Sequence, residues 1–139
     1  MLDRNIYRKI EYHLYNYKGL RQEIEQQRKE AILGGRQAIG EAGGGRSRHS
    51  DPTALKALEL CRREIAETEK WLRVVEATIS KYRGTDKQRL IDLKYSKGLN
   101  EIRICMELNI ARRTYFRWRQ DVITYAALVA AQKGMIKVA

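Results

Sequence analysis

Proline is nearly absent from this chain, which has a single one, Pro52, in 139 residues. Together with 32 % charged and 43 % apolar residues, that scarcity points to a soluble protein built from helices. Cysteine is scarce too. Cys61 and Cys105 stand 44 positions apart, with no Cys or His at ligand spacing, so a zinc site is not indicated and two buried thiols are expected. His13 and His49 likewise lack a partner. There is no Ser/His/Asp set, no glycine loop shaped to cradle phosphate before a helix and no pair of catalytic carboxylates, so the chain reads as a non-enzyme without a cofactor. No run of about 18 apolar residues is present to span a membrane. The opening MLDRNIYRK carries charge where a signal peptide needs an apolar stretch, which gives the expectation of a cytoplasmic protein.

Acid is the other shortage: 17 acidic residues against 28 basic ones leave a net charge of +11. More than half of that excess falls in residues 84–139, where 11 bases meet 5 acids. A positive field concentrated in this way draws a polyanion, most often nucleic acid, in a salt-dependent manner.

Along residues 3–33, Ile6, Ile10, His13 or Leu14, Tyr17, Leu20, Ile24, Gln27 and Ala31 recur at alternating steps of four and three, the pattern of a heptad seam. Gly19 weakens this helix without ending it, and Gly34-Gly35 is the expected stop, because glycine takes a left-handed cap without strain. Residues 34–50 hold six of the ten glycines and read as a plain flexible connection, the alternative being a basic loop whose Arg36, Arg46 and Arg48 add phosphate contacts when DNA is bound. Ser50-Asp51-Pro52 then starts a second helix. From there Leu55, Leu58, Cys61 or Arg62, Ile65, Thr68, Leu72, Val75, Ile79 and Tyr82 repeat the heptad spacing through residue 83. Residues 1–33 and 51–83 therefore form the expected antiparallel coiled-coil hairpin, an arm roughly 45 Å long at 1.5 Å per residue. Its narrow seam leaves much surface exposed, so a homo-oligomer, with a dimer favoured, is expected. Trp71 lies off the seam and suits that second contact.

Residues 84–139 change character. Thr85 or Asp86 caps a short helix carrying Leu90, Ile91, Leu93, Lys94 and Tyr95 and closed by Gly98. Asn100 caps a second, with Ile104, Cys105 and Leu108 inward, and a third runs from 111 to about 132. The spacing in LNEIRICMELNIARRTYFRWR, residues 99–119, is that of a helix-turn-helix: small Cys105 at the helix crossing, Asn109 for the left-handed turn position, and apolar Ile110 to plug the turn. Tyr115, Trp118 and Val122 then face inward. Arg112, Arg113, Phe116, Arg117 and Gln120 face outward, as base-reading and phosphate-holding residues of a recognition helix do. Ala111 offers no capping oxygen, and Ile102 stands apolar where an acid is common, which would suit contact with the adjoining arm. Taken alone, the arginines also fit an ordinary solvated helix face. The tail YAALVAAQKGMIKVA prolongs the last helix, packs on the arm or a second subunit and frays from Gly134.

The stretch LIDLKYSKGLNEIRICMELNIARRTYFRWR resembles region four of bacterial sigma factors. With HSDPTALKALELCRREIAETEKWL upstream, residues 50–125 resemble late transcription regulators of the RinA and ArpU type from phages and prophages of Gram-positive bacteria. The resemblance implies an activator of late phage genes that binds promoter double-stranded DNA in a bacterial host cell, associated with the nucleoid, with host RNA polymerase as a further partner. Carried over, its DNA contacts fall on Arg112, Arg113, Thr114, Phe116, Arg117 and Arg119. A small terminase subunit, binding phage DNA as an oligomer, is the competing reading, and a structural coiled coil with a basic tail for RNA or acidic partners is a third.

Overall fold

The computed structural model describes residues 2–40 and 52–137, and among these every regular element is a helix. They are α1 (Arg4–Tyr15), α2 (Tyr17–Gly40), α3 (Pro52–Lys81), α4 (Asp86–Ile91), α5 (Glu101–Leu108) and α6 (Arg112–Gln132). The glycine-rich stretch 41–50 and the capping pair Ser50-Asp51 lie outside the described residues.

The first helix expected over 3–33 is two helices. Asp3 caps the start of α1 by accepting from the Asn5 N–H at 3.1 Å. At the other end the Asn16 side chain donates to the Tyr12 carbonyl at 2.8 Å, alongside its own backbone N–H at 3.1 Å. An asparagine that captures a carbonyl in this way competes with helix propagation, so the chain breaks there and restarts at Tyr17. Gly34-Gly35 does not stop α2, which continues to Gly40. Glycine permits a left-handed cap but does not impose one, and inside a helix it costs only about 1 kcal/mol relative to alanine.

The chain divides into two compact units: residues 1–18 with 71–139, and residues 19–70. The division therefore falls within α2 and α3. In the first unit, Ile10 and Leu14 of α1, Trp71, Val74 and Val75 of α3, and Val122, Ile123, Ala126, Ala127 and Ala130 of α6 share one buried cluster. Small alanines on α6 let its neighbours approach closely, and each large aliphatic side chain taken from water stabilises the fold by about 1.5–3 kcal/mol. The tail thus packs into this unit's own core. Gly134, at φ 73°, ends α6 as a left-handed cap, with the Met135 N–H returning to the Ala130 carbonyl at 2.9 Å. Trp71 is not left over for another subunit: it is buried and stacked on His13 at 5.2 Å. The imidazole is itself fixed by a 2.7 Å hydrogen bond between Nδ1 and the Lys9 carbonyl.

In the second unit, Ile24 is buried and Arg28 of α2 pairs with Glu69 of α3. The seam expected through Leu55 and Leu58 is not covered: both are about half exposed, at 50 % and 55 %, as is the off-seam Leu60 at 57 %. The expectation of two buried thiols also fails, because Cys61 is exposed and Cys105 only half-buried. Periodicity gave these positions a common face, but among the described residues nothing closes over it.

Candidate nucleic-acid interface

The basic decapeptide 110–119 is displayed by a small scaffold held by short-range caps and a shared core. Thr85 accepts the Gln88 N–H at 3.4 Å and the Gln88 side chain accepts the Gly84 N–H at 2.8 Å, so the start of α4 is capped from both directions. After Ile91 the helix widens into a π turn over Asp92–Ser96, with the Lys97 N–H on the Asp92 carbonyl at 3.0 Å. Asn100 caps α5 through the Arg103 N–H at 2.9 Å. Leu90, Ile104 and Tyr115 are buried together, with Cys105, Leu108, Ile110 and Trp118 packed against them.

The connection from α5 to α6 is short and fixed. Asn109 takes the left-handed conformation, φ 53° and ψ 51°, and the Ile110 N–H closes back on the Cys105 carbonyl at 3.0 Å. Ala111 supplies no capping side chain, and its carbonyl accepts from the Tyr115 N–H at 3.0 Å. Ile102, expected to meet a neighbouring helix, is 71 % exposed.

On α6, a step of 100° per residue spreads Arg112, Phe116, Gln120, Arg113 and Arg117 over an arc of about 140°. All five are exposed, whereas Tyr115 is buried and Trp118 half-buried on the opposite side. Arg119 sits about 20° beyond one end of the arc and Thr114 about 60° beyond the other, and both are half-buried. Arg112 pairs with Glu101 in the first turn of α5 and lies over the Phe116 ring at 5.5 Å. An ion pair this exposed contributes at most about 1 kcal/mol, so an anion can displace Glu101 from it. Arg113 and Arg117 have no acidic partner among the described residues. No acid occurs between Glu107 and Asp121. The face therefore presents guanidinium donors, one amide and one apolar ring.

Arg119 departs from the expected contact set. Its Nε donates to Glu11 Oε1 at 3.1 Å and its guanidinium covers the Tyr7 ring at 5.2 Å, so it ties α6 to α1 and is not presented with the other arginines. Burial pulls the Arg119 pKa down, but the Glu11 charge and the Tyr7 ring raise it further, leaving it above its ordinary value and charged. The same Glu11 oxygen accepts the Tyr95 hydroxyl at 2.9 Å. Burial, reinforced by Glu11, pushes the Tyr95 phenol far above its usual range.

Lys94 forms a second tie, with its ammonium 5.4 Å from the rings of both Tyr15 and Tyr95 and 5.9 Å from that of Tyr115. Burial lowers its pKa, yet hydrogen bonds to Tyr15 and Tyr115 outweigh that and raise it. Lys87 bonds Asp121 at 3.0 Å, and the Tyr82 hydroxyl donates to the Asp121 carbonyl at 3.3 Å. None of these supports was evident from sequence spacing. Glu11 lies 108 positions from Arg119. Burial first and Glu101 second push the half-buried Cys105 thiol above its ordinary pKa.

What the described residues define is an all-helical protein that carries an exposed cationic helix face on a small buttressed head. The family described as protein of unknown function (DUF1492) matches residues 40–127, well over half the chain, and the protein belongs to it. The match takes in α3, α4, α5 and most of α6, the last two being the helices that build this face. No curated protein and no solved structure matches the chain. Among the described residues, no helix is long and apolar enough to cross a membrane.

Proposed function

We propose that this protein is a sequence-specific DNA-binding transcription regulator, in which α5, the Asn109 turn and α6 act as a helix-turn-helix and α6 enters the major groove. The observation that carries this reading is the shared exposure of Arg112, Arg113, Phe116, Arg117 and Gln120 on one acid-free arc of α6, behind a rigid left-handed turn. A helix of that width fits a groove about 12 Å across, where arginine forks read guanine and hold phosphates. Thr114, beyond the end of the arc, is a phosphate contact in this arrangement. Arg119 is withdrawn from the contact set and acts as a brace.

The resemblance to late phage regulators of the RinA and ArpU type makes activation of late phage or prophage genes the working role, with host RNA polymerase as a further partner. In this reading α2 and α3 serve as an antiparallel helical arm that joins two heads into a dimer, a role favoured by the apolar side chains of Leu55, Leu58 and Leu60 left in water. The same leucines also suit a larger ring, the arrangement of a small terminase subunit that packages DNA. Mass measurement in solution separates the two, since a ring of about eight subunits or more removes the regulator reading while a dimer, with its two-fold symmetry, supports it. The direct test is a gel shift with promoter-proximal duplex from the chain's own genomic neighbourhood against random duplex at physiological salt. Tighter binding to the former by about a hundredfold or more is expected, and equal binding removes sequence-specific recognition.

A further inference from the structure

The Phe116 ring has no structural reason to be where it is. It lies outside both buried clusters, and its ring is 41 % exposed in the middle of the cationic arc. It is nevertheless held in one orientation. Tyr115, itself buried, meets it edge-on at 5.3 Å, and the Arg112 guanidinium covers one face at 5.5 Å. Gln120 follows one turn later on the same side, and Arg113 and Arg117 flank it. The ring is thus a fixed apolar knob surrounded by groups that attract phosphate.

A docking surface for another protein would set further exposed apolar side chains beside such a ring, but its neighbours on the arc are arginine and glutamine, and Leu128, the other exposed large apolar side chain of α6, follows about three turns later. A cationic face with one apolar spot has a closer complement. In the major groove of duplex DNA every base edge presents hydrogen-bonding atoms, and the one apolar group on offer is the 5-methyl of thymine. Phenylalanine can neither donate nor accept a hydrogen bond, so among base edges it discriminates only through that methyl.

We infer that Phe116 is a specificity-determining residue that packs on a thymine 5-methyl group, so that the recognised site carries a thymine beside the bases and phosphates held by Arg112, Arg113 and Arg117. This assignment rests on the duplex-reading role proposed above and adds the chemical group that one residue of that face selects.

The test uses the intact chain. A bound sequence is first enriched from randomised duplex, and each thymine in it is then replaced singly by uracil, which removes the methyl and nothing else. Fluorescence anisotropy should show at least one uracil that weakens binding by about three- to fivefold, the weight of one methyl group taken out of water. Phe116→Ala should bind the thymine and uracil forms equally, and Phe116→Leu, which keeps an apolar tip, should retain the preference. Because Phe116 is exposed, both variants should melt with the wild type, and the comparison is made on folded protein. If no uracil changes binding by more than about twofold, or if Phe116→Ala loses the same factor on both forms, the assignment is overturned while the DNA-reading role stands. If no sequence is enriched at all, or single strands bind as well as duplex, the role and the assignment fall together.

Discussion

Glu11 of α1 holds Arg119 of α6 through a 3.1 Å hydrogen bond across 108 positions of sequence. The N-terminal helix therefore belongs to the same compact unit as α6. It is a wall of the head that displays the cationic face, and the register of α6 depends on it. Because Glu11 also accepts the Tyr95 hydroxyl, one carboxylate joins three segments: α1, the π turn and α6.

Removing that carboxylate should cost stability before it costs binding. Glu11→Ala leaves Arg119 and the Tyr95 hydroxyl without their acceptor in a site where both side chains of the ion pair are largely covered, at 26 % and 17 % exposure. A loss of about 2–3 kcal/mol is expected from urea denaturation. Glu11→Gln keeps an oxygen for Tyr95 and should lose about half as much. A Glu11→Ala protein as stable as the wild type would show that the triad does not brace the head.

The same site sets a limit on alkaline stability. Tyr95 has a folded-state pKa above its usual 10.0, because burial and the Glu11 charge disfavour the phenolate. Below pH 10 both folded and unfolded chains keep the phenolic proton and this contribution is fully present. Above it the unfolded chain releases the proton first, and stability falls as pH rises toward the folded value. Lys94, also raised, acts in the same direction above its usual 10.5. Urea midpoints should be level from about pH 7 to 9 and drop above about pH 10, and the drop should be smaller in Tyr95→Phe. An equal drop in that variant would assign the effect to other groups.

Asn109 gives a local test of the turn. At φ 53° a β-branched side chain is strained, so Asn109→Val should lose about 1–2 kcal/mol or more in thermal or urea unfolding, whereas Asn109→Gly should match or slightly exceed the wild type. Equal stability of the valine variant would mean that the turn relaxes and does not fix the angle between α5 and α6.

That turn was legible in the sequence, and so were the caps at Thr85 and Asn100 and the inward positions Ile104, Tyr115 and Val122, because each is decided within a few residues of chain. The break at Asn16 was hidden by an unbroken heptad rhythm on either side of it, which a single asparagine side chain overrides. Leu55 and Leu58 carry the right period, yet period says only which residues share a face, not whether anything covers it. Trp71 on His13 and Arg119 on Glu11 are pairings between distant segments, decided by how α1 packs, and spacing carries no trace of them. Arg119 differs from Arg117 by two positions, which at 100° per residue moves it from the open arc to its edge.

This last difference separates two kinds of arginine by experiment. Arg113 is exposed and has no acidic partner among the described residues, so Arg113→Ala should leave the melting temperature within about 1–2 °C of the wild type. Its affinity for the enriched duplex should fall by about 1–3 kcal/mol, more than for random duplex, as the loss of a base-reading guanidinium requires. Arg119→Ala should behave in the opposite way, lowering the melting temperature by several degrees through the unpaired Glu11, at about 4–8 °C per kcal/mol lost for a small domain. At a temperature where that variant is fully folded, its salt dependence of binding should match the wild type, since no phosphate contact has been removed. If instead Arg119→Ala reduces the slope of log affinity against log salt by about one, Arg119 leaves Glu11 for a phosphate on DNA binding, and the brace exists only in the free protein.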